Sequence, residues 1–148
     1  MNSKGFTFVE VMLGAAIFMV ILLSAYYAYA SIYTSVADSH IKVLATDLAN
    51  EQFEIARNLS FADVGTVGGV PSGKLLGSQS LVRSGITFQV NISVKNVDNP
   101  FDGTAGGSPN DTNPGDYKSV EVKVSCSTCK NFSPSVFTSL IAPLSLEP

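Results

Sequence analysis

Glu10 demands a chemical explanation: it is a carboxylate at the head of a stretch, Val11 to Ala37, that contains no Asp, Glu, Lys or Arg. A charge deep in a bilayer costs roughly 2.5–3.5 kcal/mol on insertion scales, less near the interface, so such a group asks for a partner of opposite sign. The other groups with chemical potential are a thiol pair, Cys126 and Cys129, and the oxygen-rich run containing Asp98, Asp102, Asp111 and Asp116. A structural zinc requires four ligands, and this chain offers two thiols and one distant imidazole, His40. A thioredoxin-type redox pair would open a helix in a βαβ unit, whereas Cys126 ends an alternating strand pattern. The thiols are therefore either a short disulfide or an unbonded pair. The aspartates suit calcium in composition, with Gly103 available for a tight turn, but their spacing is not that of an EF-hand. Solvated turn residues capping their own backbone explain the same composition.

Two kinds of element must position these groups. The apolar stretch exceeds the roughly 20 residues a helix needs to cross a bilayer core, and only Lys4 and the initiating amine precede it, which keeps that end in the cytoplasm. No proline occurs before Pro71, and Gly14 is the only glycine between Phe6 and Leu59, so one helix is predicted across that span. Its second half changes character. Ile41, Leu44, Ala45, Leu48, Ile55, Ala56 and Leu59 recur at helical spacing and predict a stripe that covers a core. Beyond it, glycines and Pro71 make Asp63–Ser78 a loop. Ile86, Phe88, Val90, Ile92 and Val94 then alternate with polar residues, as do Val120, Val122, Val124 and Cys126. Ser84-Gly85 suits a hairpin turn from Leu81–Arg83, and Ser135–Ile141 predicts a last strand. The result is an α+β domain with one greasy sheet face under the helix stripe.

At Lys4-Gly5-Phe6-Thr7-Phe8-Val9-Glu10 the chain resembles the processing motif of type IV pilins and type II secretion pseudopilins. The resemblance implies a pilin-like fold, one long N-terminal helix on a small antiparallel sheet. It also implies cleavage between Gly5 and Phe6 by a membrane prepilin peptidase, N-methylation of Phe6, and pairing of Glu10 with the N-terminal amine of a neighbouring subunit. The corresponding layout is a leader at residues 1–5, a transmembrane or filament-core segment at 6–37, and an extracytoplasmic domain at 38–148. Implied partners are the peptidase, other subunits, an inner-membrane assembly platform and the bilayer, with the chain anchored in the inner membrane and then in a surface or periplasmic filament. Some pseudopilins hold calcium in their C-terminal loops, and many pilins close that region with a disulfide, usually over a longer loop than Cys126–Cys129. No other cofactor is implied. Many shaft pilins carry a proline in the membrane half; its lack here leans toward a minor pilin or pseudopilin.

The bulk numbers agree with an anchored chain: of 148 residues only 14% are charged, against a usual value of roughly 25%, while 45% are hydrophobic. The formal charge of −3, with no run of Lys or Arg, argues against nucleic acid as a partner. No Ser-His-Asp grouping, phosphate loop or metal-ligand cluster suggests an enzyme. The competing readings are a cleaved secretory signal ending at Ala28-Tyr29-Ala30 and a bitopic protein whose outer β-domain binds a ligand without assembling. Neither has a use for Glu10 or for the Gly5-Phe6 junction.

Overall fold

The computed structural model describes residues 5, 7–100, 103, 106–110 and 115–143. Its contacts divide the chain into two units, Met1–His40 and Ile41–Pro148. One helix, α1, runs through Phe8–Arg57. Thr7 starts it: its hydroxyl accepts the backbone N–H of Glu10 at 3.3 Å, satisfying one of the donors that a helix N-terminus leaves open. Arg57 in the last turn complements the negative end of the helix dipole.

Within the first unit the apolar side chains are exposed, and this part of α1 is long and apolar enough to cross a membrane. Two of its hydroxyls are satisfied inside the helix. Ser24 donates to the Val20 carbonyl at 2.8 Å, and Thr34 donates to that of Ser31 at 2.9 Å. Internal pairing of this kind is what a lipid environment demands of polar groups.

In the second unit, residues from Ile41 onward in α1 lie against a four-stranded antiparallel meander: β1 (Ser78–Arg83), β2 (Ile86–Val97), β3 (Tyr117–Ser125) and β4 (Ser135–Ile141), in that spatial order. Ser84 and Gly85 link β1 to β2 with φ of 50° and 76°, both positive as a two-residue type I′ hairpin requires. The register places Val90 opposite Val124, Ile92 opposite Val122 and Val94 opposite Val120, so one face is a continuous β-branched surface. Phe88, Val90, Val120, Val122 and Val124 are fully buried. Each such side chain contributes roughly 1.5–3 kcal/mol relative to exposure, which makes this face the main source of the unit's stability.

The helix presents Ala45, Leu48, Ala49, Gln52, Phe53 and Ala56 to that surface. The predicted stripe is correct at Ala45, Leu48 and Ala56, with Ile41, Leu44 and Leu59 packed at its margin, but Ile55 is exposed. The 3-4 spacing of the buried set rotates Ile55 off the face, and Gln52 and Phe53 take the positions that count. Gln52 is tolerated there because Gln79 of β1 donates to its carbonyl oxygen at 2.7 Å. Arg83 of β1 reaches Glu51 at 2.6 Å, and Arg57 donates to Ser139 of β4 at 3.2 Å. The helix is therefore tied to both edge strands.

Cys126 and Cys129 form a disulfide, with Cα atoms 5.5 Å apart, across the turn that leaves β3. Just beyond it Phe132 meets Phe88 edge-to-face at 6.2 Å, closing that end of the core.

Candidate functional site

The N-terminal site is built from few residues. Gly5 has open space around it, and Thr7 is exposed at the helix start. Glu10 occupies the third helical position, exposed within the single chain. Phe6 lies outside the described residues, as do Asp102 and Asp111. The spacing Thr7-x-x-Glu10 is that of a capping box, a signal present in the sequence that the reading of Glu10 as a lone membrane charge passed over. A carboxylate in the first turn is also favoured by the helix dipole. Glu10 thus has a local reason to be where it is, and its charge still faces outward without a cationic partner in its own first turn. Residues 1–26 match the family model described as the prokaryotic N-terminal methylation motif. The chain carries a prepilin-type methylation motif. No curated protein and no solved structure matches the chain.

The motif ends within α1, so the segment it covers includes both the junction at Gly5 and the first turns of the apolar helix. A long N-terminal apolar helix followed by a four-stranded antiparallel sheet fits a pilin or pseudopilin, and this arrangement is consistent with membrane anchoring. The motif points to a structural subunit that a prepilin peptidase would process.

His40 is exposed on α1. Asp116 accepts the backbone N–H of Asn99 at 2.7 Å, and Asn99 also donates to the Tyr117 hydroxyl at 3.4 Å, so Asp116 ties the base of the loop between β2 and β3. Asp98 sits at the same base. Among the described residues no group of three or more His, Cys, Asp or Glu side chains is placed to hold a metal ion.

The structure adds two groups that the sequence reading did not select. Lys118, 6% exposed, projects from the inner face of β3, and its ammonium donates to the carbonyls of Phe61 and Val64 at 2.6 Å each. It also lies 4.9 Å from the centre of the Phe61 ring. Burial pulls its pKa below the ordinary lysine value, and the Asp63 carboxylate opposes that shift. The clue was parity: Lys118 is two residues before Val120 and so belongs to the inward set of β3. Asp63, within the short 3₁₀ turn Phe61–Asp63, pairs with Lys74 at 2.7 Å and so joins the two ends of the following loop.

Hydrogen bonding to Lys74, then to Ser60, lowers the Asp63 pKa from 3.8. For a depressed carboxylate the unfolded chain takes up its proton first, so the stabilisation is present above pH 3.8 and is lost as the pH falls through the lowered folded value. Protection of the Lys74 and Leu75 amides, taken relative to the intrinsic exchange rate at each pH, is therefore expected to fall across that acid window in the parent chain. The Asp63→Asn chain should show faster exchange already at neutral pH and no such acid step.

Proposed function

We propose that this chain is a precursor cleaved between Gly5 and Phe6, methylated at Phe6, and assembled as a subunit of a type IV pilus or type II secretion pseudopilus filament. The observation that carries the reading is the methylation motif running directly into a capped, unburied apolar helix. Before cleavage the helix holds the subunit in the inner membrane with the β-domain outside. Cleavage then frees an α-amine close to Glu10, and packing of like helices brings that cation to a carboxylate on a neighbour. Extraction from the bilayer would need a platform and a motor supplied by other chains.

Intact mass and N-terminal sequencing of the chain from membranes of a cell with a prepilin peptidase provide the test. The expected product starts at methylated Phe6, and Gly5→Ala is expected to reduce it at least tenfold, since a side chain enters the position next to the cut bond. A start at Met1 would mean a simple anchor, and a start at Ser31 a secreted domain; either would overturn the proposal.

A further inference from the structure

The loop that joins the Phe61–Asp63 turn to β1 is unusually well tied for a surface segment. Thr66 donates its N–H to the Pro71 carbonyl and accepts from Gly69 and Gly73, Val67 donates to Leu75, and Leu75 donates to Gly65. Gly73 lies directly on the backbone of Gly65, where any β-carbon would collide. Yet this ordered loop directs apolar side chains outward: Val70 is 95% exposed, Val67 63% and Leu76 57%. Single exposed apolar residues are ordinary, but a rigid loop carrying three of them is a ready-made contact that loses little entropy on docking.

Elsewhere on the same unit is a hollow of about 470 Å³ whose apolar walls are Leu59, Phe61, Leu140 and Ile141. Its one cation, Arg57, is already engaged by Glu54 and Ser139, so the hollow suits an uncharged apolar group better than an acid. The loop tip, Val67-Gly68-Gly69-Val70-Pro71-Ser72, carries no charge.

We propose that in the assembled filament the Val70-Pro71 tip of one copy seats in the Leu59–Phe61–Leu140–Ile141 hollow of a second copy. The inference rests on the subunit reading above. Knob and hollow share no residue, so one copy can engage a different neighbour through each; used in that head-to-tail way the contact is heterologous and, where it does not close, propagates into a filament.

The test uses the full chain in cells that assemble it, with a photo-reactive benzophenone side chain at position 70 and the cross-linked peptides identified by mass spectrometry. The expected adduct joins position 70 to a peptide containing Leu59–Phe61 or Leu140–Ile141 of another copy. Val70→Asp should leave cleavage and the circular-dichroism spectrum unchanged and lower the assembled fraction roughly tenfold or more; Leu140→Asp, on the opposite wall, should do the same. A Val70→Asp chain that assembles as the parent does, or adducts confined to other surfaces or other proteins, would overturn the contact while leaving the filament reading in place. A parent chain that is processed but never assembles would overturn both.

Discussion

A Glu10→Gln chain is expected to be cleaved and methylated like its parent but to assemble on the order of a hundredfold less. Glutamine is the discriminating replacement because the helix-start position and the proposed charge pairing differ in what they require of Glu10. The capping-box position accepts Glu or Gln, so the helix start, including the 3.3 Å bond from the Glu10 N–H to the Thr7 hydroxyl, survives the change. Charge pairing with a neighbour's amine does not. Breaking a buried pair by removing one partner costs about 3–5 kcal/mol, because the remaining cation is left among apolar helices. Electron microscopy or sedimentation of sheared filaments reads the outcome, with mass spectrometry confirming maturation. Thr7→Ala is the converse control: it removes the cap, keeps the charge, and should weaken the helix start by only about 1 kcal/mol. Normal assembly by the Gln chain would show that Glu10 serves the helix end and that pairing is not its role.

Replacing Lys118 with methionine should lower the unfolding free energy of the β-domain by about 2 kcal/mol. Methionine keeps most of the side-chain length but donates nothing, and the carbonyls of Phe61 and Val64 lose the donor that reaches them at 2.6 Å. An acceptor buried without a partner costs about 1–3 kcal/mol; this falls on Val64, because the Phe61 carbonyl keeps the Val64 N–H at 3.3 Å. Denaturant titration of the detergent-solubilised chain measures the loss. Hydrogen exchange should locate it, with Val64 and the Gly65–Leu75 ladder opening earlier than β2 and β3. A loss spread evenly over the sheet would mean that Lys118 matters for packing and not for holding this turn.

Much of this fold was legible because alternation and helical spacing are strong signals where one face is buried. β2 emerged from alternation, and the hairpin at Ser84-Gly85 from its turn residues. β3 was read from Val120, three residues late, because a lysine at an inward position conceals the pattern. Lys118 and Gln52 share that difficulty: a buried polar residue is permitted by its partner, and the partners here are backbone carbonyls of a distant turn for Lys118 and Gln79 of β1 for Gln52. Ile55 was misplaced for the opposite reason, since an apolar residue one position off the stripe carries no mark of its exposure. At the N-terminus the motif was fully visible in Gly5, Phe6 and Glu10, whereas Thr7 was read only as part of it and not as a cap.

The ties from α1 to both outer strands have a mechanical consequence. Tension arriving along the helix reaches β1 through Glu51–Arg83 and Gln52–Gln79, and β4 through Arg57–Ser139. Peeling either outer strand must therefore strain the helix attachment as well as the neighbouring strand. A β-domain braced at both margins by the same rod resists pulling as one body.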